Sequence, residues 1–316
     1  MQSLQTDLNR RITSPIIPIR TGTGSAPDAT FTATSDEGDV LRTRRAGITA
    51  KIEVQPVREH VSMLKGSGGN IAVLHGAEEL VVVDAGLSRA NIWAALQRVD
   101  SGAIRYLVNT HWHFDHTDGN EWMHADGATI VAHKNTRSRL STATRVDAWN
   151  FTFPPSPVGA LPEILVLGVT ALHINDTTVT IEPYGPSHTD TDVRVAFTDV
   201  DVLCVGDTWW NGDYPFIDYS TGGSIDGMIR AAEENVRVVG DDTLIIPGHG
   251  PVGGRKELTE FRDLLRSIRD VVAALKKDGK SVDEVVAAKP TAKYDAEWGN
   301  FWISPDMFTR LVYAGV

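Results

Sequence analysis

The segment Asn109-Thr110-His111-Trp112-His113-Phe114-Asp115-His116 places four metal-binding side chains within six residues. It follows an apolar run, Ile104–Val108, that reads as a strand. In extended backbone, residues two apart face the same side, so His111 and His113 can grip one ion together. If the chain then turns, Asp115 and His116 are aimed elsewhere and can serve a second ion. Such a density of ligands exceeds what one ordinary tetrahedral site uses. Buried without partners, these side chains would be costly, so the pattern needs a cation to make physical sense.

Three further candidates stand just beyond apolar strands. His188 lies in the turn-rich segment Tyr184-Gly185-Pro186-Ser187-His188-Thr189, after Thr178–Ile181. Asp207 follows Val202–Val205 and Gly206, and His249 lies in Ile246-Pro247-Gly248-His249-Gly250. Loops at the ends of strands on a rigid sheet are where functional groups are presented. A ligand set made only of imidazole and carboxylate suits two Zn2+ ions, and also iron or manganese. Two such ions a few ångströms apart can hold a bridging hydroxide. One ion polarises the scissile oxygen and the other steadies the leaving group. Asp115 could handle the proton delivered to that group.

Other residues near these motifs read differently. The aromatic stretch from Trp209 to Tyr219 follows Asp207 directly. It could wall a pocket, with Tyr214 or Tyr219 donating a hydrogen bond to a substrate oxyanion. Asp190 and Asp192 read equally well as supports of the His188 segment and as turn residues. His133 reads as a partly buried residue with a backbone hydrogen bond. Gly66-Ser67-Gly68-Gly69-Asn70 lacks the Gly-Lys-Ser/Thr ending of a phosphate loop and is a turn. The one cysteine, Cys204, lies inside an apolar strand, so it belongs to the core and no intrachain disulfide exists.

The elements that must hold these residues are short strands and amphipathic helices. Strands are expected at Ala50–Val57, His60–Leu64, Ile71–His75, Leu80–Val83 and Ile104–Asn109, where Val and Ile alternate with turn residues. Helices are expected at Arg89–Val99, Ser224–Val239 and Arg255–Lys277, with shorter ones at Val282–Ala288 and Pro305–Tyr313. Hairpins first and alternating units after them imply an α/β (α+β) chain with two mixed sheets packed together and helices outside. Residues 1–45, rich in Thr, Ser, Gly and Asp, read as an irregular arm suited to a homo-oligomer contact. Residues 46–255 read as the catalytic domain, and 256–316 as a helical extension packed on it.

The 316 residues carry a net charge of −11, with 22% charged and 41% hydrophobic side chains. That composition belongs to a globular chain with ample core. The negative balance argues against a nucleic-acid partner. No apolar run is long enough to span a membrane. Arg10-Arg11 is followed by prolines and Arg20 rather than by an apolar export signal. The expected partner is a small-molecule substrate and the expected location is the cytoplasm.

Taken together, His111-x-His113-x-Asp115-His116, Asp84-Ala85-Gly86, His188, Gly206-Asp207 and Pro247-Gly248-His249-Gly250 resemble the metallo-β-lactamase superfamily, over roughly residues 48–255. The likeness is nearer its glyoxalase II and lactonase-like dinuclear zinc members than its β-lactamases. Thr189-Asp190-Thr191-Asp192 departs from the thioesterase-like pattern. The resemblance implies an αββα sandwich with metals at one edge of the sheets. It implies His111, His113 and His188 on a first metal, Asp115, His116 and His249 on a second, and Asp207 bridging both. Asp84 would stand behind the ligands and fix the orientation of one of them. The implied activity is hydrolysis of a small ester, thioester, lactone or β-lactam-type substrate. Two alternatives are a mononuclear iron dioxygenase of the same superfamily, disfavoured by His116 and His249, and a non-catalytic metal-stabilised binding protein.

Overall fold

The computed structural model describes residues 38–77 and 79–316. The first helix, α1 (Asp39–Thr49), corrects the expectation of an irregular arm up to residue 45. Its sequence is polar, and Val40 and Gly47 are its buried residues, so no apolar stripe announces it. The oligomer contact expected of residues 1–37 lies outside the described residues.

The strands β1 (Glu53–Arg58), β2 (Val61–Lys65), β3 (Ile71–Leu74) and β4 (Leu80–Val83) form an antiparallel meander. Helix α2 (Arg89–Val99) crosses to β5 (Ile104–Asn109), which lies parallel to β4. The short helices α3 (Phe114–Thr117) and α4 (Asn120–Ala125) lead to β6 (Thr129–His133), parallel to β5. Helix α5 (Lys134–Ser141) and a small hairpin of β7 (Thr144–Val146) and β8 (Phe151–Phe153) precede β9 (Ile164–Val166). The first sheet therefore runs β1-β2-β3-β4-β5-β6-β9.

The second sheet comprises β10 (Thr170–Ile174), β11 (Thr177–Pro183), β12 (Val193–Phe197), β13 (Val202–Trp210) and β14 (Leu244–His249), in that order. Its neighbours are antiparallel except for β13 and β14, which are joined through helix α6 (Ile225–Val238). The chain ends in helices α7 (Arg255–Lys277), α8 (Val282–Ala287), α9 (Asp295–Trp298) and α10 (Pro305–Gly315).

Alternation along the strands sorts the core into three layers. Met63, Leu74, Val81, Val83 and Val108 of the first sheet meet Val179, Ile181, Val195 and Phe197 of the second. Residues one step away, such as Val73 and Val82, face Ile92, Ala95 and Leu96 of α2. On the far side, Leu203, Val205 and Ile245 pack against α6 and α7 through Met228, Ile229, Phe261 and Leu265. Both faces of both sheets are thus covered, which explains the unbroken apolar runs of β4 and β13. Among the described residues, no helix is long and apolar enough to cross a membrane.

Candidate metal centre

The carboxyl ends of β4, β5, β11 and β14 converge with Asp207, inside β13, on one end of the sandwich. After β5 the chain bends through Thr110, His111 and Trp112; His113 is extended (φ −61°, ψ 150°) and leads into α3, so Asp115 and His116 lie on a helical turn. Ligand-competent atoms of His111, His113, His188 and Asp207 lie within 4.8 Å of one another, as do those of Asp115, His116 and His249. Asp207 stands between the two groups. One oxygen, Oδ2, is 3.8 Å from His111 Nε2 and 3.5 Å from His188 Nε2. The same oxygen is 3.5 Å from His249 Nε2, and Oδ1 is 3.1 Å from His116 Nε2. Ligands about 2.0–2.2 Å from a common ion, arranged tetrahedrally, stand about 3.4 Å apart, so these spacings fit an ion within each group.

Hydrogen bonds behind the rings decide which nitrogen faces inward. His111 Nδ1 donates to Thr110 Oγ1 (3.1 Å), whose hydroxyl donates in turn to Asp84 Oδ2 (2.7 Å). His116 Nδ1 donates to the same Asp84 oxygen at 2.8 Å. Asp84 also takes the Thr110 backbone N–H at 2.7 Å, and its φ of 67° lets its carboxylate reach all three groups from the end of β4. His188 Nδ1 donates to the Phe216 carbonyl (2.8 Å), and His113 Nε2 donates to Asp218 Oδ2 (3.0 Å).

These bonds leave lone pairs pointing at the centre. His188 Nε2 and His113 Nδ1 face each other at 2.9 Å, each on a ring whose other nitrogen already carries the proton. Two lone pairs so placed repel unless a cation lies against both. Nε2 of His111, His116 and His249 and Oδ1 of Asp207 are buried without a hydrogen-bond partner among the described residues. Buried groups of this kind, all of them metal ligands by type, fit divalent ions.

The electrostatics differ between the groups. Burial, with the neighbouring imidazoles, pushes His111 well below the ordinary histidine value and His188 down to about 4, so both are neutral ligands. Burial also acts on His116 and His249, but the carboxylates around them prevail. Asp207, Asp115 and Asp84 hold His116 well above its ordinary value, and Asp207 and Asp115 hold His249 at about 9. Protons therefore sit on the second group until an ion displaces them.

The glycine turn between β2 and β3 presses directly on this centre. A side-chain carbon at Gly69 would overlap the His116 ring, and one at Gly248 would overlap Asp207 Oδ1. Asn70 Nδ2 donates to the Pro247 and Gly250 carbonyls (3.0 and 2.9 Å) and so ties the turn to the loop that carries His249. Trp149 and Phe216 lie stacked behind His113, and Trp210 lies 4.4 Å, ring to ring, from His249.

The two tyrosines lie elsewhere, which corrects their expected role as oxyanion donors. Tyr214 Oη donates to Asp295 Oδ1 (2.9 Å) and the Thr291 carbonyl, and its ring stacks on Phe308 of α10. The Tyr219 hydroxyl lies against Gly315 of the same helix. What the aromatic loop gives the centre is Asp218 and the Phe216 carbonyl. Burial pushes Asp218 up, but bonds from His113, Ser220 and Thr221 hold it at about 2. No spacing rule singles out Asp218, Asn70 or Thr110 in the sequence. Asp192 accepts the Thr189 N–H and hydroxyl and so shapes the turn after His188, whereas Asp190 pairs with Arg139 (2.7 Å) at its rim. His133 accepts the Asn135 N–H, and Cys204 is buried in β13.

Two mixed sheets flanked by helices, with a buried pair of His/Asp groups where the strands end, define a metal-binding αββα protein. The chain belongs to the metallo-β-lactamase superfamily, whose family model matches residues 64–255. A curated hydroxyacylglutathione hydrolase from Polaromonas sp. (strain JS666 / ATCC BAA-500) is 28% identical over 221 residues, which is 69% of this chain and 75% of that protein. Among solved structures, a metallo-β-lactamase from Pontibacter korlensis superposes with TM-score 0.55 at 17% identity, covering 68% of this chain and 99% of that one. The sec-alkylsulfatase Pisa1 from Pseudomonas sp. superposes with TM-score 0.63 at 15% identity, covering 87% of this chain and 51% of that one. These structural likenesses speak for the fold; the family, with the ligand set, makes the chain a metal-dependent hydrolase.

Proposed function

We infer that the centre is dinuclear, holds two Zn2+ with iron or manganese as substitutes, and hydrolyses a small ester, thioester, lactone or β-lactam-type substrate. The observation that carries this reading is the single carboxylate of Asp207, within 3.1–3.8 Å of imidazole nitrogens from both groups. A carboxylate with two oxygens is a natural bridge between two cations. When bound, such ions supply Lewis acidity to the scissile carbonyl and an attacking water of lowered pKa. The likeness to a hydroxyacylglutathione hydrolase supports thioesters as candidates alongside esters.

The chain's own residues do the remainder. Asp218, the Phe216 carbonyl and Asp84 fix the rings of His113, His188 and His116, so the ligands need no rearrangement. Burial pushes the Asp115 carboxyl up, but His116 and His249 hold it below its ordinary value, so on the more open side it is a carboxylate able to take a proton and hand it to the departing oxygen, sulfur or nitrogen. The rings of Trp112, Trp149 and Phe216 keep water from the closed side. Metal analysis and a substrate panel on one preparation test the reading. About two ions per chain and activity lost on chelation and regained on reloading are expected. Full activity in metal-stripped protein overturns it. One iron and no zinc would favour the oxygenase reading. No turnover with both ions loaded would favour a binding protein.

A further inference from the structure

The ligand groups are open to solvent on one side only. The side chains of His111, His113, His116, His188 and Asp207 are at most 3% exposed, whereas Asp115 is 8% and His249 11% exposed. A cavity of about 310 Å³ opens onto those two residues. Two of its walls come from outside the stretch shared with the family: Thr43 and Ala46 of α1, and Phe301 with Trp302 before α10. Leu87 completes the apolar surface. The Phe301 ring lies 6.4 Å from that of His249 and 6.2 Å from that of Trp210, yet the residue is 43% exposed. A large ring held half in water beside a reactive centre has apolar area still to bury.

Charge is as informative as shape. Among the described residues, no lysine or arginine lines this cavity. On α1, Arg42 pairs with Asp39, and Arg44 forks onto Asp118 (2.6 and 2.8 Å) with its guanidinium over Phe114, in a different cleft. An anionic substituent would meet the Asp115 carboxylate, and beyond the ligand His249 the described lining offers it no basic side chain. An uncharged hydrocarbon would shed water against Phe301, Trp302 and Leu87.

We propose that this cavity is the acyl subsite, that it takes an uncharged, apolar chain or ring attached to the scissile carbonyl, and that Phe301 and Trp302 determine specificity there. The assignment of an acyl group rests on the hydrolase reading; the preference for apolar over anionic groups rests on the lining. Binding separates the two. The full-length, zinc-loaded chain is titrated calorimetrically with alkyl hydroxamic acids from acetyl to octanoyl, and with the monohydroxamate of adipic acid. Kd falls at least about tenfold from acetyl to hexanoyl, because each buried methylene strengthens binding. The adipic compound, which matches hexanoyl in length but ends in a carboxylate, binds at least tenfold more weakly than hexanoyl.

In Phe301→Ala and in Trp302→Ala the hexanoyl-to-acetyl ratio shrinks to below about threefold. Ala46→Asp, at an exposed position where folding is not at stake, weakens hexanoyl binding more than acetyl binding. A flat chain-length series, or tighter binding of the adipic compound, overturns the proposal. p-Nitrophenyl esters of the same acids are assayed in parallel. Length-dependent binding without turnover would support the pocket and overturn the hydrolase reading. Turnover with flat binding would do the reverse.

Discussion

Each imidazole in the first group spends one nitrogen on a fixed acceptor and turns the other inward. For His113 that acceptor is Asp218, a carboxylate 105 residues away in sequence. Asp218→Asn keeps the shape but replaces the charge and can turn an NH2 toward the His113 N–H. The expected outcome is a 10–100-fold loss of metal affinity, the usual cost of losing such a support, with a thermal midpoint close to the parent's. Competition with a chromophoric chelator measures it, and unchanged affinity would show that Asp218 is merely structural. Replacing a ligand acts more severely. His111→Ala and Asp115→Asn are expected to fall below about one per cent of parental kcat/KM, with one ion or fewer retained. The ligand residues were legible because four of them crowd one short stretch. Asp218 was not, because its role arises only when the aromatic loop folds back over His113. Tyr214 and Tyr219 misled for the same reason: closeness in sequence to Asp207 says nothing of direction, and the loop turns both hydroxyls toward the C-terminal helices.

Elements with a clear period were readable to the residue. Arg89–Val99 and Arg255–Lys277 are the observed helices, because a wide apolar stripe and a following Asp or Gly leave few alternatives. Leu80–Val83 and Ile104–Asn109 are the observed strands, since apolar runs of that length suit strands buried on both faces. Helix α1 escaped notice because it packs through little more than Val40 and the close approach of Gly47 to Leu87. The importance of α7 can be tested directly. Phe261 is fully buried and stacks on Trp298. Phe261→Ala should therefore cost about 3–5 kcal/mol in urea unfolding. Asn70 links two elements rather than filling a core. Asn70→Ala leaves the Pro247 and Gly250 carbonyls without their donor, a loss of about 1–3 kcal/mol. It should also weaken the second ion more than the first, since the released loop carries His249. Equal loss of both ions would count against that division.

At the scale of the whole molecule, the two halves of the centre respond to protons in opposite ways, and the metal-free protein should show it. His188 is held at about 4 and His111 lies well below the ordinary value. The unfolded chain takes up their protons near pH 6.5 and the folded chain does not, so their contribution is lost as pH falls from about 6.5 toward 4. His249 is held at about 9 and His116 lies well above the ordinary value. Their contribution is complete below about pH 6.5 and is lost as pH rises toward 9. Stability of the stripped protein should thus peak near pH 6.5 and fall on both sides. Ions reverse the alkaline limb, because they replace the protons on His116 and His249 and bind more tightly as those protons leave. The rise in thermal midpoint on loading zinc should be larger at pH 8.5 than at pH 6.5, and proton release on loading, followed by calorimetry in buffers of different ionisation enthalpy, should exceed one per chain at pH 7. A stripped protein whose stability rises steadily from pH 6.5 to 9, with no protons released on loading, would mean that the carboxylates around Asp207 do not hold the second group protonated.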